Sequence, residues 1–200
     1  KNARLCILGN PVANLADPIR CAEEMAMIDN ISHGRLECGF VRGVPYELFA
    51  SNANPTETNE RLWESIDLMT KAWTTHDGPF NFEGKYYHHR QVNIWPRPYQ
   101  QPHPPVFVAA SKSQASIDYC ARNGFIPTYF MPDKGVIEMT RYYQKVANEA
   151  GFNVQLGQNQ NLVRWPHVTK TSEDFDRKLR EYDLDIYKNF YGPFFPQFPQ

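Results

Sequence analysis

Arg42 stands where an apolar run ends. The stretch Gly34-Arg35-Leu36-Glu37-Cys38-Gly39-Phe40-Val41-Arg42-Gly43 carries four apolar side chains between two glycines, the pattern of a buried strand entered and left through turns. A guanidinium at the carboxyl end of a parallel strand is placed to take a phosphate or carboxylate ligand, or else to pair with a neighbouring carboxylate at the rim. A second anion site in outline follows the apolar run Pro105-Val106-Phe107-Val108-Ala109-Ala110, which leads straight into Ser111-Lys112-Ser113-Gln114-Ala115-Ser116. A serine-rich helix start offers hydroxyls and free backbone N–H groups, and the helix dipole favours negative charge there. An ordinary helix cap accounts for Ser113 but leaves Ser111 and Ser116 unexplained.

Other chemistries have less support. His88 and His89 are neighbours on a predicted strand and so point to opposite faces, with no third ligand evident, so no metal site is expected. The sequence shows no nucleophile triad, no paired carboxylates at useful spacing and no Gly-x-x-x-x-Gly-Lys loop, which argues against a hydrolase. A formal net charge of -1 offers no field for nucleic acid or an anionic membrane. Cys6, Cys21, Cys38 and Cys120 are scattered, without a Cys-x-x-Cys pair or a leader before Lys1. They are expected to be reduced, mostly buried thiols of a cytoplasmic protein. No apolar run approaches the ~20 residues of a membrane span.

The elements that must position Arg42 and the serine turn are legible. The 200 residues suffice for one domain, and 42% hydrophobic with 22% charged residues is globular composition. Arg4–Leu8 reads as a strand ending at Gly9-Asn10-Pro11, and Asp17-Pro18 opens a helix as cap and first residue. Asn54, Pro55 and Glu57 predict the start of another helix, whose apolar stripe is Leu62, Ile66, Met69 and Trp73. From 76 to 104 the helical period gives way to an aromatic and proline-rich excursion, either a lid or substrate wall or loop packing on the outside of helices. Phe125–Phe130 is the next strand, ending in Tyr129-Phe130, and a helix through Val136 and Tyr143 stops at Gly151. Asn161–Thr169 predicts a last strand and Ser172 caps a last helix, which the Gly192-Pro193 tail is expected to end. Five βα units imply a parallel α/β sheet, open or part of a (β/α)8 barrel.

Several segments resemble the bacterial luciferase-like, flavin-dependent monooxygenases. These are Asp17-Pro18-Ile19-Arg20 with Ala22-Glu23-Glu24, then Asp29, Ser32-x-Gly34-Arg35, Gly39-Phe40-Val41-Arg42-Gly43, Trp95-Pro96-Arg97-Pro98 and Gln101-Pro102-His103-Pro104-Pro105. The resemblance runs from about Leu5 to about Lys188 and implies a (β/α)8 TIM-barrel fold. The five strands correspond to the third to seventh of that fold, a partial barrel. A histidine that family members carry on an early strand has no counterpart here.

The resemblance further implies reduced FMN, or a deazaflavin (F420) in one branch, bound at the carboxyl mouth. Arg42 would meet the phosphate, with Ser111, Ser113 and Ser116 completing the site. Gly9 and Asn10 would pass under the ring, often through a non-prolyl cis peptide in this family. Val41, where the luciferases proper have cysteine, would lie beside the ring, and Tyr129 or Phe130 would flank it. The implied activity is that of a two-component monooxygenase fed by a separate NAD(P)H:flavin reductase. It would oxidise a small organic substrate with O2, such as an aldehyde, sulfonate, alkane or xenobiotic, and act as a homodimer. A shortened, non-catalytic flavin-binding protein and an F420-dependent oxidoreductase are the alternatives within the family.

Overall fold

A computed structural model describes residues 2–110, 113–130, 132–164 and 166–194, with Tyr191 and Phe194 described in backbone only. The chain divides into two compact units, Lys1–Val163 and Arg164–Gln200.

The first unit is built on a parallel five-stranded sheet of β1 (Leu5–Asn10), β2 (Leu36–Phe40), β5 (Val106–Ala110), β6 (Ile126–Tyr129) and β7 (Asn161–Leu162), hydrogen-bonded in that order. Between them run α1 (Pro18–Ser32), α2 (Pro45–Ala50), α3 (Thr58–Thr74), the antiparallel hairpin β3 (Phe80–Glu83) and β4 (His88–Val92), α4 (Gln114–Asn123) and α5 (Asp133–Glu149). Each crossover joins neighbouring strands and the order never reverses. Right-handed crossovers that always advance the same way put every helix on one face, which is how a barrel is wound, whereas a doubly wound sheet reverses. The sheet curls into a half-barrel. Of the two architectures open to the sequence, strand order selects the partial barrel.

Burial follows from this winding. Leu36, Cys38 and Phe40 on β2, and Val106, Val108 and Ala110 on β5, are at most 2% exposed and pack among the helices with Met25, Ile66 and Trp73. Their alternates Glu37, Gly39, Phe107 and Ala109 line the concave face. Gly39 is required there, because a Cβ on it would lie 2.1 Å from the carbonyl oxygen of Ile7. Opposite it, the pairing of β1 with β2 slips between Ile7 and Asn10, a bulge at the carboxyl end of the strand.

Asp17 caps α1 as expected, its carboxylate accepting from the N–H of Ile19 and Arg20 at 3.0 and 3.3 Å. Other boundaries differ from the sequence reading. α3 begins at Thr58 because Asn54 is taken up locally, accepting from the N–H of Thr56 at 3.1 Å and donating to Glu57 at 2.9 Å. The short helix α2 has no counterpart in the sequence reading. The strand predicted over 161–169 contracts to Asn161–Leu162.

The second unit holds one helical segment from Ser172 to Phe194, in which π turns at Leu179–Asp183 and Tyr187–Tyr191 alternate with α turns. Thr171, not Ser172, caps it, its hydroxyl accepting from the N–H of Asp174 at 3.1 Å. The segment continues through Gly192 and Pro193, where the sequence predicts a stop. No helix among the described residues is long and apolar enough to cross a membrane.

The excursion over 76–104 is a strap along α3. Glu64 of α3 accepts the backbone N–H groups of Lys85, Tyr86 and Tyr87 at 3.0, 2.9 and 2.8 Å. Gly84 is needed at this turn, since a Cβ there would lie 1.8 Å from Glu64 Oε1. Tyr86 and Lys85 also bond to Glu60, and the Lys71 ammonium lies 4.8 Å from the centre of the Phe80 ring. The hairpin thus runs antiparallel to the helix, with its tip at the helix's N-terminal half.

Candidate active site

Parallel strands end on the same edge, so their order dictates which loops meet. Along the carboxyl edge the strand ends come in the order Gly9-Asn10, Val41-Arg42, Ala110 and Tyr129-Phe130. The pairing of β2 with β5 ends at Phe40 against Val108, and Arg42 follows two residues beyond that pair. Adjacent strands lie only about 4.8 Å apart. The end of β2 and the strand that leads to α4 are therefore adjacent although about 70 residues separate Arg42 from Ser113 in sequence.

Arg42 is exposed and is bound through one long contact, Nη1 to Asn59 Oδ1 of α3 at 3.3 Å. Among the described residues it has no carboxylate partner, so pairing at the rim does not occupy it. Ser113 caps α4, its hydroxyl and its carbonyl accepting from the Ser116 N–H at 3.3 and 3.1 Å. Among the described residues that hydroxyl makes no donor bond, and a helix start leaves its first N–H groups without intrahelical partners. Ser116 is half-buried on the first turn of α4. Ser111 lies outside the described residues.

Gly9 and Val41 are in contact, for a Cβ on Gly9 would lie 3.3 Å from Val41 Cγ1. Asn10 is held differently. Its carbonyl accepts the Val41 N–H at 3.0 Å, and its amide donates to Cys21 Sγ at 3.4 Å, which turns the side chain towards α1. The Gly9–Asn10 peptide is trans; the cis bonds of the described residues are Trp95–Pro96 and Gln101–Pro102. The non-prolyl cis peptide that the resemblance implied here is thus corrected, a bulge taking its place.

Tyr129 and Phe130 separate by alternation. Tyr129 is 1% exposed, with its hydroxyl 2.8 Å from Gln160 Oε1 and 3.4 Å from the Met139 carbonyl of α5. It is committed to the helix layer, and burial raises the pKa of its hydroxyl. Phe130 is 52% exposed at the strand end.

Among the described residues the Thr128 hydroxyl of β6, the Thr70 hydroxyl of α3 and the Asn14 carboxamide in the loop after β1 are buried without a hydrogen-bond partner. Nothing in the period or composition of 11–16 marks Asn14, and only the contact between two loops distant in sequence exposes its position. Arg61 is equally unmarked in the sequence. It holds the same loop by donating to the carbonyls of Ala13 and Leu15 at 2.9 and 3.1 Å. An exposed arginine with one weak bond at one strand end, and a helix start after the next strand, fit a phosphorylated cofactor at this edge. Among the described residues no cluster of three metal-ligating side chains occurs.

Fold and site together define a (β/α)8-barrel-type protein whose strand ends carry a cation beside a helix start. The chain belongs to the luciferase-like monooxygenase family, whose model matches residues 8–194. It is 26% identical over 193 residues to the oxygenase component of flavin-dependent trigonelline monooxygenase from Acinetobacter baylyi, covering 94% of this chain and 51% of that protein. The chain thus spans about half the length of this curated relative. Among solved structures, monooxygenase RslO1 from Streptomyces bottropensis superposes with a TM-score of 0.83 at 25% identity, covering 96% of this chain and 58% of that one. The oxygenating constituent of 3,6-diketocamphane monooxygenase from Pseudomonas putida, in complex with FMN, shares the fold with a TM-score of 0.79 at 18% identity, covering 98% and 57%.

Proposed function

We propose that this chain forms the phosphate-binding half of a two-component flavin-dependent monooxygenase. It would take reduced FMN from a separate NAD(P)H:flavin reductase and use O2 to oxidise a small organic substrate. What supports the reading is Arg42 just past the carboxyl end of β2, without a carboxylate partner among the described residues, next to the strand that leads to α4.

Arg42 binds the phosphate with charge-assisted hydrogen bonds, and Ser113 with the first N–H groups of α4 completes the cradle. Gly9 and Val41 form a smooth apolar step beneath the ring, because the missing Cβ of Gly9 lets Val41 lie against the strand. Phe130 contributes the flanking aromatic surface, and Tyr129 holds β6 to α5. When bound, reduced FMN supplies the electrons for oxygenation, while the protein orients it and excludes water.

Titration with oxidised FMN, chemically reduced FMN and F420, alongside Arg42→Ala, tests this. Saturable binding that favours reduced FMN and weakens by ~1 to 3 kcal/mol in the variant is the expected result. Preference for F420 would assign the deazaflavin branch instead, and a folded chain that binds none of the three would overturn the reading.

A further inference from the structure

Among the described residues Arg42 bonds to a single side chain, and that side chain is neutral. Its Nη1 donates to Asn59 Oδ1 at 3.3 Å, and both residues are exposed. The backbone on either side is held in place. The Asn10 carbonyl accepts the Val41 N–H at 3.0 Å. Across from it, Thr58 is 1% exposed with its hydroxyl donating to the Pro55 carbonyl at 3.0 Å. Arg61 ties the same turn of α3 to the Ala13 and Leu15 carbonyls at 2.9 and 3.1 Å. Two exposed side chains on settled backbone thus meet between the end of β2 and the start of α3.

Carboxylates stand close by in both stretches of sequence, yet each is engaged elsewhere. Glu47 accepts the Val44 N–H at 2.8 Å, and Glu57 accepts from the Asn54 amide at 2.9 Å. Glu60, the neighbour of Asn59, accepts from the Lys85 ammonium and the Tyr86 hydroxyl.

A guanidinium only donates, so the oxygen of the Asn59 carboxamide is the end that can face it. Such a contact narrows the arginine's rotamers and leaves its charge whole. A carboxylate in the same place would neutralise the cation and compete with an anionic ligand. We infer that Asn59 is a positioning residue for Arg42, holding the guanidinium ready for a phosphate monoester while keeping its full charge. The inference rests on the cofactor reading above and adds to it what orders the cation. Ordering the group before the ligand arrives removes part of the entropy cost of binding.

The test measures binding of FMN and of riboflavin, which lacks the phosphate, to the parent chain, Asn59→Ala, Asn59→Asp, Arg42→Ala and the double alanine variant. Asn59→Ala should weaken FMN about threefold, the scale of one modest hydrogen bond. Asn59→Asp should weaken it about tenfold or more, because the new carboxylate pairs with Arg42. Riboflavin affinity should be the same throughout. In the double variant the alanine at 59 should cost nothing beyond Arg42→Ala, since it acts through the arginine. Neither change at 59 should lower the melting temperature, as alanine is a good helix former and an aspartate suits a first turn.

Unchanged FMN affinity in either Asn59 variant overturns the inference, and so does an equal loss for riboflavin or an additive loss in the double variant. A lower melting temperature that accompanies the loss would mark a merely structural role and overturn it too. If the parent chain binds neither flavin, the cofactor reading falls and this inference with it. FMN binding that depends on Arg42 and is indifferent to residue 59 overturns this inference alone.

Discussion

Asp29, fully buried near the end of α1, accepts both the backbone N–H and the side-chain amide of Gln100 at 2.8 Å, and the same amide donates to the Leu36 carbonyl at 2.8 Å. One carboxylate thereby fastens the end of the long excursion to the start of β2. Arg97 strengthens the junction, its backbone carbonyl accepting from Asn30 at 2.6 Å.

Asp29→Ala leaves two donors of Gln100 short of an acceptor in a dry site and should cost ~2 to 4 kcal/mol. Urea denaturation followed by tryptophan fluorescence would show it as a lower midpoint. A shift under 0.5 kcal/mol, the range of ordinary surface changes, would mean that Gln100 does not hold the excursion.

Glu64→Ala should release the hairpin tip from α3, because three backbone N–H groups lose their common acceptor. The expected loss is ~2 to 3 kcal/mol, with hydrogen exchange rising at Lys85, Tyr86 and Tyr87 before the rest of the chain. Exchange there that stays as slow as in the parent would contradict the strap geometry.

Gly39→Ala is expected to be the most disruptive small substitution on the concave face. The new methyl would meet backbone, the Ile7 carbonyl, which cannot turn aside as a flexible side chain can. A cost of at least ~3 kcal/mol follows, with β1 lifted from β2. Circular dichroism and thermal melting of the variant would check this, and a parent-like melting temperature would refute the close approach.

The thiols should divide by burial. Cys6 is exposed, whereas Cys21, Cys38 and Cys120 are buried and unpaired. Burial pushes the Cys21 and Cys120 thiols up from 9.0 to about 12. With a thiol reagent at neutral pH, one fast reaction at Cys6 and three slow ones gated by unfolding are expected. The sign for stability is also fixed. The unfolded thiols ionise above 9 and the folded ones only near 12, so their contribution is intact below pH 9 and is lost as pH rises towards 12. Serine at 21 and 120 should flatten that alkaline decline, and an unaltered decline would place its cause elsewhere.

The strand and helix sequence was legible because each element carries its own period and punctuation. Leu36, Cys38 and Phe40 alternate, Asp17-Pro18 caps, and Leu62, Ile66, Met69 and Trp73 repeat at the helical spacing. The residue types at the mouth, Arg42 and Ser113, could be picked out for the same reason, since strand ends and helix starts are local features. Where local signals compete, the sequence misled. Asn54 can cap a helix or close its own turn, and only packing chose the turn; Gly192-Pro193 looked like a stop, yet the helical segment passes through it.

What tertiary structure alone decided is everything that depends on strand order. Whether the βα units wind one way or reverse is absent from their periods, and it is this order that sets the end of β2, with Arg42 beyond it, next to the strand that leads to α4. The orphaned amide of Asn14 is the extreme case. A side chain is unsatisfied only relative to every neighbour the fold brings near it, and Gly43, Arg61 and Tyr87 come to that loop from three separate stretches of the chain.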